Sequence, residues 1–217
     1  MCAVVGAFSK TKVDLDLFQK VMVQSMIRGK HASGIAWNNN GKLAYRIIDE
    51  SANFLAFKNI DTNMIIGHAR YSTSDLNYNQ PIKTDKIAIV HNGVISQEHP
   101  DTWKDTYGYD FDTKNDSEIV LRNYENNKHP LQLDGSMATI ILDMTEKPTI
   151  LFFRNEQRPL YYSTDKDIYI ASTKNILERS GFEHILKTDS CVEYKIDGKF
   201  STNLIRKSKT DLQWLIF

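Results

Sequence analysis

Cysteine occurs only twice in these 217 residues, as Cys2 and Cys191, too few to build a disulfide framework. A lone pair in a cytosolic chain stays reduced, so both are expected as free thiols. An excess charge of either sign is missing as well: 27 basic residues face 27 acidic ones for a formal net charge of zero, with no long run of one sign. That argues against nucleic acid or a membrane surface as partner and points to a ligand that is small and neutral overall. No stretch approaches the roughly 18 consecutive apolar residues of a membrane span, and the N-terminus lacks the charged-then-apolar pattern of a signal peptide. The expected location is therefore cytoplasmic. The six histidines show no metal-ligand spacing with the two cysteines, and HExxH and CxxC do not occur, so no metal is expected. GxGxxG, P-loop and serine nucleophile-elbow patterns are also absent, and no cofactor is expected.

What is present is a 41% hydrophobic chain, enough for a sizeable core. Without repeats, low-complexity segments or linkers, it reads as one domain over residues 2–205 with a C-terminal tail over 206–217. Ala3 to Phe8 is a buried strand, and 14–28, with apolar residues at spacings of three and four and Gly29 after it, is an amphipathic helix. Residues 34–37 and 43–48 flank an Asn-Gly turn signal and form a hairpin. Ser51 to Phe57 reads as a short helix capped by Ser51. Two buried strands, 64–66 stopping at Gly67 and 87–90, deliver the polar clusters 68–73 and 91–93. Residues 98–112 are the candidate mobile loop over a site, and 113–127 is a capped helix. Strands follow near 137–143, 149–154, 158–163 and 167–171, then a helix at 173–180 and strands near 184–188, 191–196 and 199–205. This mixture is α+β, with two sheets stacked between helices.

Cys2 stands at the start of the first strand. Removal of Met1 would give it a free α-amine, whose reference pKa of about 7.7 to 8 makes it a base next to the thiol. Taken alone, the same cysteine also fits a small buried apolar residue. Arg70, at a strand end, can grip a carboxylate with two parallel hydrogen bonds, or form a structural ion pair. Asn92 and Gly93 offer a side-chain and a backbone N–H, the parts of an oxyanion hole, or simply make a turn. Asp116 can begin a helix or bind an ammonium group. Combined, these groups ask for an amino acid carrying an amide or acyl side chain.

These residues resemble, in order, the class II glutamine amidotransferase domain of the N-terminal-nucleophile hydrolases. The resemblance is carried by Cys2-Ala3-Val4-Val5-Gly6, Arg28-Gly29 with Ser33-Gly34-Ile35-Ala36, Gly67-His68-Ala69-Arg70-Tyr71-Ser72-Thr73, Gln80-Pro81, His91-Asn92-Gly93, Asp116-Ser117-Glu118, and Arg158-Pro159-Leu160 with Ala171-Ser172. It implies a four-layer αββα sandwich of two antiparallel sheets between helices, and hydrolysis of L-glutamine to glutamate and ammonia through a thioester. It further implies Cys2 as nucleophile, Asn92 and Gly93 as oxyanion hole, Arg70 with Thr73 as carboxylate clamp, Asp116 as ammonium ligand, and Arg28 as an arginine near the nucleophile. Three positions depart from the family pattern, Ala3 where glycine is usual, His31 where aspartate is common and Ala69 in place of threonine, and the Arg154 to Leu160 segment is shorter than the family's Asp- and Gly-containing version. No motif of a fused synthase is present, so the expected partners are L-glutamine or a γ-glutamyl substrate and a separate synthase subunit. A γ-glutamyl amidohydrolase and a catalytically silent scaffold are the alternative readings.

Overall fold

Ala3–Phe8 forms the first strand, β1, and all six of its residues are buried. An unbroken apolar run of this kind belongs to a strand covered on both faces. Val5 and Ala7 pack into a cluster with Phe18, Val21, Met22, Ile176 and Leu177. Val4 and Phe8 join Ile66, Val90, Ile140 and Phe152 in a second cluster on the opposite face.

The computed structural model describes residues 1–72, 77–165 and 167–207. After β1 come α1 (Leu15–Gln24), β2 (Ala32–Asn39), β3 (Lys42–Ile48), β4 (Met64–Arg70), β5 (Ile82–Lys83), β6 (Ile87–Val94), α2 (Trp103–Tyr107) and α3 (Ser117–Glu125). The second half adds β7 (Ser136–Asp143), β8 (Thr149–Arg154), β9 (Tyr161–Ser163), β10 (Ile168–Ala171), α4 (Lys174–Ser180), β11 (Ile185–Lys187), β12 (Val192–Ile196) and β13 (Phe200–Leu204). A seven-stranded sheet runs β11-β9-β10-β1-β4-β2-β3 and a six-stranded sheet β13-β12-β8-β7-β6-β5, and neighbouring strands pair antiparallel. Helices α1 and α4 cover the outer face of the first sheet. Trp103 of α2 and Ile119, Val120 and Leu121 of α3 pack with Ile89, Ile141 and Phe153 on the outer face of the second. The result is the expected α+β sandwich, with four layers in the order αββα.

Several boundaries differ from the sequence reading. Gly67 does not stop its strand: β4 continues to Arg70 because Gly67 pairs with Val5 on one side and Ile35 on the other. Ladder bonds to both neighbours outweigh the cost of a glycine in a strand. Likewise β6 runs through His91, Asn92 and Gly93, which pair with Thr139, Ala138 and Met137, so Asn92-Gly93 makes no turn. Residues 51–57 hold only a 3-10 turn, Ala52–Phe54, and Ser51 makes no cap bond to its backbone. Helix α1 ends at Gln24 and tightens into a 3-10 turn, Ser25–Ile27. The 98–112 segment is not bare loop; it contains a 3-10 turn, Pro100–Thr102, and α2. Of the proposed tail, 208–217 lies outside the described residues, as does Thr73.

Candidate active site

The start of β1 lies beside the end of β4, since Ala3 pairs with Ala69. Cys2 is half-buried there, with its Sγ 3.8 Å from the Tyr71 carbonyl oxygen. Its own carbonyl accepts a 2.8 Å bond from Arg28 Nε. Gly29 makes that arrangement sterically feasible: a Cβ at this position would sit 2.3 Å from the Arg70 carbonyl carbon. His31 Nδ1 receives the Ser72 N–H at 2.9 Å while the ring stacks on Tyr71 at 4.9 Å.

An open pocket of about 460 Å³ spreads from Cys2 and is lined by Arg70, Gly93 and Asp116 among others. Four of the expected residues, from separate stretches of chain, therefore meet at one end of the sandwich. Arg70 is already oriented: its Nη1 donates to the Asn77 carbonyl at 3.0 Å and to Asn79 Oδ1 at 2.5 Å. Asn79 in turn donates to Asp49 Oδ1 at 2.6 Å. Asp116 Oδ2 accepts from Ile95 N at 2.7 Å, fastening the end of β6 to the start of α3. It provides no cap for its helix. That task falls to Asn115, whose Oδ1 accepts from Ser117 N at 3.0 Å and whose Nδ2 donates to the Tyr78 carbonyl at 2.8 Å.

Gly93 lines the pocket, and any side chain there would collide with the Ser136 carbonyl oxygen at 1.8 Å. Asn92 lies one residue behind it, 2% exposed, and its amide nitrogen is buried with no hydrogen-bond partner among the described residues. Unpaired buried donors are rare and costly, on the order of 1–3 kcal/mol, and ask for an explanation. Arg28 is not part of the pocket lining; it holds Cys2 from the other side.

The sequence reading treated the histidines only as non-ligands of metal and gave Gln80 and Ser117 no role. His68, His91, Gln80 and Ser117 all line the pocket. Gln80 receives His91 N on Oε1 at 2.6 Å and donates Nε2 to the His91 carbonyl at 3.1 Å and to Ser117 Oγ at 3.0 Å. Ser117 Oγ is 2.9 Å from His91 Nδ1, and His91 Nε2 is 3.3 Å from the Ser136 carbonyl oxygen. With the Gln80 amide donating to Ser117, the hydroxyl proton goes to Nδ1 and the ring proton sits on Nε2, so every group is used. Burial lowers the pKa of His91, with Asp116 pulling it back up. His68 beside it has both ring nitrogens buried and without a hydrogen-bond partner among the described residues. Burial, then the Arg70 charge and His91, push its pKa down to about 3, so the ring is neutral at ordinary pH. The one sequence signal for this part of the lining was the Gln-Pro and His-Asn-Gly pattern at the strand ends.

Among the described residues no group of His, Cys, Asp and Glu is placed to hold a metal ion, and no helix is long and apolar enough to cross a membrane.

A family model described as a glutamine amidotransferase domain matches residues 40–207. The chain is 27% identical over 244 residues to a glutamine–fructose-6-phosphate aminotransferase (isomerizing) of Clostridium acetobutylicum, covering 99% of this chain and 39% of that protein. It is 24% identical over 226 residues to an amidophosphoribosyltransferase of Pyrococcus horikoshii, covering 91% and 50%. The chain thus spans about two fifths to one half of these relatives' length. Its fold is similar to that of the glutamine phosphoribosylpyrophosphate amidotransferase from B. subtilis complexed with ADP and GMP, with a TM-score of 0.77 at 17% identity, over 95% of this chain and 50% of that one. A glutamine aminotransferase class-II domain protein from Silicibacter pomeroyi gives a TM-score of 0.59 at 10% identity, covering 94% and 98%.

Proposed function

This chain belongs to the glutamine amidotransferase domain family, and from that premise we propose that it hydrolyses the side-chain amide of L-glutamine with Cys2 as nucleophile. The observation that carries this reading is the meeting of Cys2, Arg70, Gly93 and Asp116 around one pocket. Arg70, held by Asn77 and Asn79, grips the α-carboxylate together with Thr73. Asp116 has one oxygen on Ile95 N, and its other oxygen takes the α-ammonium. These two contacts at one end of glutamine deliver its amide carbon to the thiol at the other.

The chemistry then needs a base and an oxyanion site. With Met1 removed, the Cys2 α-amine takes the thiol proton as sulfur bonds to the amide carbon. The oxyanion receives hydrogen bonds from Gly93 N and from Asn92 Nδ2, whose lack of a partner among the described residues fits a donor reserved for charge that develops only during reaction. The C–N bond breaks and the α-ammonium returns its proton to the leaving nitrogen, releasing ammonia and leaving a thioester. Water adds to the thioester, the C–S bond breaks, and glutamate departs. The ammonia passes to a synthase domain or subunit.

The test is mass spectrometry of protein beginning at Cys2 after treatment with a diazo-ketone analogue of glutamine. A single adduct on Cys2 with loss of glutaminase activity is expected. An unmodified Cys2 in correctly processed protein would leave the silent scaffold as the better reading. Full activity of protein retaining Met1 would refute the amine as base, since an acylated nitrogen has no basic lone pair.

A further inference from the structure

Two guanidinium groups converge beside Cys2, outside the pocket lining. Arg28 Nη2 lies 3.7 Å from the Met1 sulfur and Arg158 Nη1 lies 3.5 Å from the same atom. A thioether is a weak acceptor and does nothing for their charge. The remaining bonds of the pair go to neutral groups: Arg28 Nε to the Cys2 carbonyl at 2.8 Å and Arg158 Nε to Ser136 Oγ at 3.0 Å. Neither arginine is ion-paired with a carboxylate among the described residues, in contrast to Arg122, which meets Asp112, Glu118 and Glu125. Burial lowers the Arg28 pKa, Cys2 raises it, and the like charge of Arg158 lowers it further. Two half-buried cations thus converge on one point with no carboxylate paired to either among the described residues.

The mechanism says what arrives at that point. A base that returns its proton to the leaving nitrogen must come within about 2.6–3.2 Å of it. The Met1 residue is bonded to the nitrogen that becomes this base, so the space its side chain fills adjoins the leaving group. A substituent on the leaving nitrogen projects there, and Met1 vacates the space when it is removed. A carboxylate on the carbon next to the leaving nitrogen would find there the two guanidiniums that Met1 Sδ now touches.

We propose that Arg28 and Arg158 form a leaving-group subsite for a carboxylate, so that the substrate class extends to γ-glutamyl amides of amino acids. This rests on the Cys2 reading of the preceding subsection. In the step, sulfur bonds to the carbonyl carbon of the side-chain amide, the C–N bond breaks, and the α-ammonium gives its proton to the leaving amine. The free amino acid departs with its carboxylate released from the arginines, and water then converts the thioester to glutamate and thiol. The net reaction is γ-glutamyl amino acid plus water to glutamate plus amino acid. Arg158, on the segment before β9, is the specificity-determining residue of the pair, because Arg28 also holds the nucleophile's own backbone.

The experiment compares γ-glutamylglycine with γ-glutamylmethylamide, whose leaving amine lacks only the carboxylate, on protein beginning at Cys2. Charge-assisted pairing predicts a kcat/KM at least about tenfold higher for γ-glutamylglycine. Arg158→Gln should collapse that ratio toward one, and Arg158→Lys should retain part of it. Because each ratio is taken within one protein preparation, a partly unfolded variant does not distort it. A ratio near one in the unsubstituted protein, or one unchanged by Arg158→Gln, overturns the subsite. If glutamine is hydrolysed normally in that case, only the subsite falls. If neither glutamine nor either amide is turned over and Cys2 takes no adduct, the Cys2 reading falls and the subsite with it.

Discussion

Ala3 and Ala69 stand directly opposite each other in the β1–β4 ladder, both buried, with Ser33 on the other side of Ala69. They are also two positions at which the resemblance led us to expect other residues, glycine at 3 and threonine at 69. Facing cross-strand residues share one packing space, so the two departures compensate in volume. Ala69→Thr is expected to destabilise by about 1–3 kcal/mol through overpacking. The double change Ala3→Gly with Ala69→Thr should recover most of that loss. Denaturant melts of the three proteins check this, and additive effects in the double variant would contradict the shared space.

Gly93→Ala should be severe. The new methyl group would sit 1.8 Å from the Ser136 carbonyl oxygen and 2.5 Å from His91 Nε2, and backbone on the neighbouring strand cannot yield cheaply. A stability loss above about 3 kcal/mol or failure to fold is expected. A melting temperature within a degree or two of the parent protein would show that β6 and β7 separate more easily than their ladder implies.

Stability should fall on mild acidification. His68 is held near a pKa of about 3 in the fold against about 6.5 in the unfolded chain. The two states bind protons equally above about 6.5. Below it the unfolded chain takes up a proton that the fold refuses, so stability is lost progressively from there down to about pH 3. His91 is shifted in the same direction. Each group contributes at most about 1.4 kcal/mol per pH unit. Chemical denaturation at several values between pH 4 and 7 measures the slope, and His68→Gln should flatten it by up to one proton; an unaltered slope would exclude His68 as its source.

Asp116→Asn keeps an oxygen for the Ile95 N–H and removes only the charge. KM for glutamine should rise about ten- to a hundredfold while kcat changes much less, because the carboxylate meets the α-ammonium remote from the bond that breaks. Steady-state kinetics separate the two constants. An unchanged KM would reduce Asp116 to a structural tie between β6 and α3.

Much of this architecture was legible locally. The unbroken apolar runs 3–8, 64–66 and 87–90 marked strands covered on both faces, and the spacing of apolar residues marked α1 and α3. Those signals work because burial imposes its period on adjacent residues. Cys2, Arg70, Asn92-Gly93 and Asp116 were named from their chemistry, and the fold brought four of them to one pocket. The boundaries were less legible. Nothing in Gly67 or Asn92-Gly93 announces that β4 and β6 run on, since the bonds that extend them come from strands distant in the chain. The capping residue of α3 was not legible for the same reason: Asn115 and Asp116 both fit a helix start, and the bond from Ile95 N to Asp116 leaves the cap to Asn115 Oδ1.

The residue types and their order therefore determined the fold class and the chemistry on offer, because hydrophobic period and functional groups are properties of the chain itself. Tertiary structure alone decided how those groups are held: His91 against Ser117 and Gln80, His68 buried without a hydrogen-bond partner among the described residues, and Arg28 and Arg158 facing one another across Met1. Hydrogen bonding, desolvation and charge proximity depend on distance in space, and residues 1, 28 and 158 are brought together only when the two sheets close.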